Sequence, residues 1–448
     1  MTINCILVGH NFVHEMQVIA QIFFGGYNFV FGKEVPPEGY AVLGCLNGET
    51  CTGELYLDGK KLSSHTMFYE NKRSLMLATF RALKEATDQP TPWGAMTGVR
   101  PAKQVRIWLD EGQSESEIFN RLSQDYMLRE DKIKLAIDVA HAEEKLKNKP
   151  GVGIYIGVPF CPSRCLYCSF VAAQKAGADA HQRYLEALAK ECANLPKDNI
   201  NTVYIGGGTP TAFSEADFER LLKIAAPFAK NIEYTVEAGR PDSITIEKLR
   251  LMKDYGVNRI AINPQTLNDA TLERIGRAHT SKDFYKAYEM AQQLGFDNIN
   301  TDIIIGLPGE STEDIQHTMK GLKEISPPHI TVHTLAVKRA SFLKEQQETL
   351  ADFETVDKML SIASDTCADM GLLPYYMYRQ KNMLGHLENV GWAKSGYESL
   401  YNVAMMAETQ TVRAAGAGAV TKILEGDLIT RKFNPKNIEI YINRIMES

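Results

Sequence analysis

The sequence has no surplus of basic charge. Its 49 Lys and Arg are outnumbered by 55 Asp and Glu, for a formal net charge of −6. A field of that sign recruits neither nucleic acid nor an anionic membrane surface. No apolar run reaches about 18 residues, so no segment reads as a membrane span. The first residues, "MTINCILVGHNF", lack the basic stretch and long apolar core of a secretory signal. A cytoplasmic chain without nucleic-acid or membrane partners is expected. There is no internal repeat at solenoid period and no low-complexity tract. Cysteine is sparse, with eight in 448 residues, too few for a disulfide scaffold. What remains is a soluble globular composition, 44% apolar and 23% charged. The length is ample for a large core and implies two or three domains.

The few cysteines are not evenly spread. "FCPSRCLYC" (160–168) holds three of them as Cys161-x3-Cys165-x2-Cys168. Grouped thiols in a reducing compartment point to metal or redox chemistry. The polar, turn-like "PSR" between the first two argues against a purely structural core role. Structural zinc wants four protein ligands in a closed tetrahedron. A fourth would have to come from His181 or Cys192, both in the next helical stretch. A [4Fe–4S] cluster held by thiolates is the other reading, and three cysteines leave one iron open. The spacing favours the cluster.

Between residues 151 and 336, short apolar runs alternate with amphipathic stretches. The runs are "GIYIGVPF", "TVYIGGG", "EYTVEAG", "RIAINPQ", "INTDIIIGLPG" and "HITVHTLA". The stretches between them, such as "SEADFERLLKIAAPFA", repeat apolar residues at helical spacing. Such alternation means βαβ units and a parallel sheet. Six strands are too few for an eight-stranded barrel, so a partial, TIM-like (β/α)6 barrel fits best, with a doubly wound sheet as the alternative. The cysteine loop would follow the first strand, at the end where barrel sites assemble. "GGGTP" (206–210) follows the second strand, where backbone N–H groups can approach a carboxylate.

The expected organisation is an N-terminal α+β region (1–148), the barrel (149–372) and a C-terminal region (373–448), with "KNKPG" (147–151) as the first boundary. Helices are expected over 11–25, 71–86, 101–111, 129–147 and 352–370, and a hairpin around Asp58-Gly59. Arg100, Lys103 and Arg106, at three-residue spacing, read as a solvated face.

The cysteine run resembles the signature of radical S-adenosylmethionine (SAM) enzymes. In that family the open iron binds the amino and carboxylate groups of SAM, and an electron from the cluster cleaves SAM to an adenosyl radical. "YIGVPFCPSRCLYCSF", "IGGGTPT", "NPQTLND…RIGRAHT", "TDIIIGLPGE" and "GAGAV" together resemble the oxygen-independent coproporphyrinogen III oxidase group. The N-terminal region, "WGAMTGVRPAKQV" and "YYMYRQKNM…LENVGWAK" resemble its longer Z-type branch.

The resemblance implies a [4Fe–4S] cluster on Cys161, Cys165 and Cys168, and SAM as second cofactor. Tyr155, Gly207 and Glu237 match positions around the cluster-bound SAM. Tyr167, Gly208, Thr209, Gln265, Arg277, Asp302 and Ala336 match contacts of a second SAM. Two departures stand out: "EAGRPD" has one extra residue before the proline, and Tyr167 replaces a phenylalanine. The implied activity is an oxidoreductase of haem biosynthesis, which decarboxylates two propionates of coproporphyrinogen III to vinyls. The alternatives within the group are a haem chaperone of the W type and an anaerobic haem-modifying enzyme. A monomer and a reducing partner such as flavodoxin or ferredoxin are implied. A four-carboxylate substrate needs cations, and Arg277, Lys338, Arg339, Arg379 and Lys381 are candidates.

Overall fold

The structure is a computed structural model describing residues 2–147, 151–168, 173–174, 177–230, 232–337, 350–426 and 428–447. The proposed boundary at 148–150 and the candidate cations Lys338 and Arg339 lie outside the described residues. The chain forms two compact units, Met1–Ile137 with Arg379–Leu387, and Asp138–Tyr378 with Glu388–Ser448.

The first unit is built on a five-stranded sheet in the order β2-β1-β3-β4-β5. Its strands are β1 (Thr2–Val8), β2 (Asn28–Gly32), β3 (Tyr40–Asn47), β4 (Thr50–Leu57) and β5 (Lys60–Phe68). Asp58-Gly59 makes the expected hairpin turn, with both residues at positive φ, as a two-residue turn between twisted strands requires. Helices α1 (Val13–Phe23) and α2 (Lys72–Ala86) pack Met16, Ile19, Phe23, Leu75, Phe80 and Leu83 into one core with Ile3, Val42 and Leu55. Asn71 caps α2 by accepting from the Arg73 N–H. The unit continues through α3 (Pro101–Asp110), α4 (Glu115–Asn120) and much of α5 (Glu130–Leu146). Arg106 departs from the expected solvated face, because it is buried beside Val105 and Trp108 on the inner side of α3.

The second unit carries the expected partial barrel. Strands β6 (Val152–Val158), β9 (Ile200–Gly207), β10 (Glu233–Gly239), β11 (Arg259–Ile262), β12 (Ile299–Ile305) and β13 (His329–Thr334) pair in parallel, in that order. Helices α6 (Ala178–Ala193), α7 (Glu215–Ala225), α8 (Ile246–Asp254), α9 (Asp269–Arg274), α10 (Ser281–Gln293) and α11 (Thr312–Ile325) cross between them. Burial on both faces explains why these strands read as continuous apolar runs rather than alternating ones. Ile154, Ile156, Val203, Ile205, Val236, Ile260, Ile303 and Val332 are all fully buried. After α12 (Phe353–Asp369), the sheet is extended beyond β13 by antiparallel β15 (Asn389–Ala393) and β14 (Leu373–Tyr378). At the other end β16 (Val412–Ala415) pairs in parallel with β6 and is followed by β17 (Val420–Glu425) and β18 (Leu428–Phe433). Helices α13 (Leu400–Ala407) and α14 (Ile438–Glu447) complete the unit.

Candidate active site at the barrel rim

The cysteine loop leaves β6 through a short two-residue strand β7 (Phe160–Cys161), which pairs with β8 (Ala173–Gln174). Neighbouring loops hold its backbone. Leu166 N–H donates to the Ile275 carbonyl at 3.0 Å, and Thr209 N–H donates to the Phe160 carbonyl at 2.7 Å. Gly208 lies so close that a Cβ there would sit 2.5 Å from the Phe160 oxygen and 3.0 Å from Cys161 Sγ. Only glycine permits that approach. The Thr209 hydroxyl reaches Cys161 Sγ at 3.5 Å. Burial pushes the Cys161 thiol up, against the pull of that hydroxyl.

A cavity of about 200 Å³ opens over this loop. Its wall includes all three cysteines together with Tyr167, Gly207, Gly208, Thr209, Glu237, Gln265, Arg277 and Asp302. Eleven of the thirteen positions singled out from the sequence therefore share one rim. Tyr155 and Ala336 are not part of that wall. Tyr155 is in an aromatic stack with Tyr204 and Tyr401, at 6.2 and 6.3 Å between ring centroids. Ala336 lies two residues beyond the end of β13.

The polar groups on the wall are arranged in pairs. Glu237 accepts from the Tyr204 hydroxyl at 2.6 Å and from the Gly207 N–H at 3.1 Å. Burial nevertheless pushes its carboxyl up to about 7, and the neighbouring Asp302 adds to the rise. Burial acts on Asp302 in the same direction, but His333 at 3.7 Å and the Asn300 amide at 2.7 Å hold it below the ordinary carboxylate range. Two adjacent carboxyls thus have opposite protonation tendencies, a pattern common at functional sites. Gln265 lies three residues past β11 with φ of 69°, in the left-handed region. It bridges to β12, donating N–H to the Asp302 carbonyl at 3.0 Å and accepting from Ile304 N–H at 2.9 Å. Its buried Oε1 has no hydrogen-bond partner among the described residues. Arg277 is buried, and its Nε and Nη1 likewise have no hydrogen-bond partner among the described residues. Unmet donors and acceptors cost free energy in a buried site unless a ligand satisfies them.

The same wall contains residues that motif reading passed over: Ser163, Arg164, Gly239, Arg240 and Asn263. Arg240 is the most tightly engaged of them. Its Nη1 donates to the Ser163 carbonyl at 3.1 Å and hydroxyl at 2.7 Å, while Nε and Nη2 grip Asp242 at 3.0 and 2.7 Å. The clamp falls within "EAGRPD" (237–242). The β10–β11 register slips between Glu237 and Gly239, a bulge with Gly239 at φ of 62°. A bulge re-aims the chain behind it, and here it turns Arg240 onto the cysteine loop.

The residues that zinc would have needed are engaged otherwise. His181 is packed edge-on against Phe160 and Phe213, with centroids 4.6 and 4.9 Å away. Cys192 is buried in α6, with its thiol pushed up by that burial. Of the remaining candidate cations, Arg379 lies in the first unit, its guanidinium donating to the Met96 carbonyl at 2.6 Å and the His386 carbonyl at 3.2 Å. Lys381 is exposed.

Comparison with known proteins agrees with this geometry. Residues 155–322 match the Radical SAM superfamily. The chain is 35% identical to the oxygen-independent coproporphyrinogen-III oxidase-like protein HemZ of Bacillus subtilis, over 96% of this chain and 92% of that one. It is 31% identical to the haem chaperone HemW of the same organism, over 65% of this chain and 76% of that one. Its fold is similar to the solved structure of coproporphyrinogen III oxidase HemN from Escherichia coli, with a TM-score of 0.55 and 19% identity, covering 69% of this chain and 72% of that one. The chain therefore belongs to the radical SAM superfamily, within the oxygen-independent coproporphyrinogen III oxidase family and its Z-type branch.

Proposed function

We propose that the protein is an anaerobic coproporphyrinogen III dehydrogenase, which converts two propionate side chains to vinyls with loss of carbon dioxide. The observation that carries this reading is the buried Arg277 guanidinium, on the same cavity wall as the three cysteines and with two nitrogens that have no partner among the described residues. A cation in that position needs an anion, and a propionate supplies one with the bidentate geometry that Arg suits. The cavity's chemistry fits the family's cofactors. Cys161, Cys165 and Cys168 would hold a [4Fe–4S] cluster with one open iron. The Glu237 carboxyl, which accepts from the Gly207 N–H at 3.1 Å, would offer a partner for the ammonium of SAM. Bound there, the pair supplies a one-electron cleavage of SAM that abstracts hydrogen from carbon.

The chain's own residues have three tasks. Arg277 orients the substrate carboxylate, and Tyr167, whose phenol burial keeps protonated, stands beside it as a hydrogen-bond donor. Gln265 offers its unpartnered Oε1 to an N–H of a bound ligand. Asp302 stays ionised and provides a fixed negative charge in the same wall. Arg240 and Asp242 keep the cysteine loop at the rim. Anaerobic incubation of cluster-reconstituted protein with SAM, coproporphyrinogen III, a one-electron reductant for the cluster and an electron acceptor for the decarboxylating substrate radical tests the reading. Mass spectrometry should detect vinyl-bearing product and 5′-deoxyadenosine.

The similarity to HemW supports a second reading, a haem carrier on the same barrel. Stoichiometric haem retention with intact propionates after incubation with coproporphyrinogen III and SAM would favour it.

A further inference from the structure

Glu237 is held from below by a residue that no motif pointed to. Tyr204 sits on β9 and pairs with Thr235 on β10. Residues two apart on a strand share a face, so Tyr204 lies one layer deeper in the barrel than Glu237. Its hydroxyl donates to Glu237 Oε1 at 2.6 Å, and the Gly207 N–H donates to Oε2 at 3.1 Å. Gly206 makes room for that reach: a Cβ there would sit 2.7 Å from the Tyr204 ring and 2.8 Å from the Glu237 carboxyl carbon. Filling the barrel interior would need only a phenylalanine at 204. The hydroxyl adds a donor aimed at one carboxyl oxygen. Both oxygens are thereby fixed. An ionised carboxylate has about four acceptor sites, so each oxygen keeps room for a further N–H.

Tyr204 is in turn fixed from the C-terminal region. Tyr401, on α13, stacks on its ring with centroids 4.3 Å apart, and Tyr155 of β6 stacks on both, the three rings lying within 21° of parallel. A second carboxylate on the same face of β10 seats α13. Glu233, four residues before Glu237, accepts from the Ser399 hydroxyl at 2.9 Å, the Leu400 N–H at 2.7 Å and the Tyr401 N–H at 3.1 Å. A carboxylate at a helix N-terminus is favourable, so α13 is anchored at the residue that supplies the stacked ring.

Resting on the reading of this rim as a SAM site, we propose that Tyr204 is a positioning residue, which fixes the Glu237 carboxylate to receive the amino group of SAM, and that Tyr401 extends this role to the C-terminal region by holding Tyr204. Besides Tyr204 on β9, the groups that face Glu237 are Tyr155 on β6, Asp302 on β12, His333 on β13 and Tyr401 on α13. Burial and Asp302 favour the protonated carboxyl, while Tyr204, the Gly207 N–H and His333 favour the ionised one. Tyr204 itself stays a donor, because burial and Glu237 keep its phenol well above the ordinary range. The ionised carboxylate accepts from the amino group; a protonated one does so poorly. Removing the Tyr204 hydroxyl therefore costs SAM binding while the three cysteines keep the cluster.

The test separates the hydroxyl from the ring. Full-length, cluster-reconstituted protein is compared as wild type, Tyr204→Phe, Tyr401→Ala and Tyr401→Phe, at equal iron content and circular dichroism. Tyr401→Leu replaces Tyr401→Ala if the latter does not fold. Without SAM, the infrared band of a protonated carboxyl that is lost in Glu237→Gln reports on Glu237. That band should persist to higher pH in Tyr204→Phe than in wild type. SAM affinity, read from its perturbation of the reduced-cluster EPR signal, should fall roughly tenfold near neutral pH, as for loss of one hydrogen bond to a charged group. The gap from wild type should narrow as pH rises. Tyr401→Ala should share both changes, and Tyr401→Phe, which keeps the stacked ring, should rescue them in large part. A Glu237 band that titrates alike in wild type and Tyr204→Phe would overturn the proposal. So would a loss of SAM affinity equal at every pH, since that is a packing defect. Wild-type titration in Tyr401→Ala would overturn the role given to α13. The two readings fail separately. A shifted Glu237 band without any vinyl product sinks only the substrate assignment. Vinyl product from a protein whose Glu237 band ignores Tyr204 sinks only the positioning role.

Discussion

The two cavities differ in how the sequence writes them. The rim cavity is assembled from strand ends, and each strand delivers a short local motif: a cysteine triplet after β6, "GGGTP" after β9, Glu237 within β10. The N-terminal cavity, between α1, α2 and α3, is assembled from helix faces some thirty to ninety residues apart in sequence, whose side chains look like ordinary amphipathic surface. The first concentrates rare residue types whose chemistry is distinctive. The second uses Lys, Arg, Met and Ile, which occur everywhere. A site is thus easier to read where its chemistry needs unusual residues than a cavity is where common ones meet in a new arrangement.

The contrast breaks most sharply at the cysteines. Replacing Cys161, Cys165 and Cys168 together with Ala should abolish cluster binding and SAM cleavage outright, with iron content and the EPR of the reduced protein as readouts. A full cluster in that variant would remove the basis for the rim assignment. Arg277→Ala should keep the cluster and some SAM cleavage but lose about a hundredfold in vinyl product, because misplacing a carboxylate by about 1 Å costs on that order. If 5′-deoxyadenosine, product and cluster content fall in step, Arg277 is structural.

The clamp on the cysteine loop is expected to matter less. Removing a group that orients a metal ligand typically costs about 10- to 100-fold in metal affinity. Arg240→Ala should reduce cluster retention in that range, and Asp242→Asn by less, measured as iron bound after chelator challenge. Equal retention by wild type and Arg240→Ala would mean that the bulge serves only the β10–β11 pairing.

The smallest effect is on stability. Burial pushes Glu237 up to about 7, and Glu310, buried and bonded to the Thr266 hydroxyl at 2.6 Å, up to about 7 as well. A carboxyl raised on folding stabilises fully below its ordinary value and loses that contribution as pH rises through the folded value. Thermal stability should therefore fall between about pH 5 and pH 8, by at most about 3 kcal/mol per group. Glu237→Gln should flatten part of the slope. A slope unchanged in Glu237→Gln would mean that the folded protein does not protonate this carboxyl.

Most of the barrel was legible because its strands are buried on both faces and its helices on one, which gives each a distinct pattern. Helix limits were legible for the same reason, with side-chain caps marking the starts of α2 at Asn71 in the first unit and of α12 at Asp352 in the second. Three features were not. The clamp formed by Arg240 depends on a one-residue bulge, and only the spacing of "EAGRPD" hinted at it. Gln265 reads as a strand end but lies beyond β11, held by hydrogen bonds to β12 that no local pattern encodes. Arg106 shares its spacing with Arg100 and Lys103, yet α3 turns it inward, because three-residue steps drift around a helix of 3.6 residues per turn.

The central claim is that this rim abstracts hydrogen from a propionate. Coproporphyrinogen III deuterated at the propionate carbon adjacent to the ring, incubated anaerobically with the reconstituted protein, SAM and a one-electron reductant, tests it directly. Deuterium should appear in 5′-deoxyadenosine in proportion to the vinyl groups formed. Steady SAM cleavage with unlabelled 5′-deoxyadenosine and intact propionates would contradict the account.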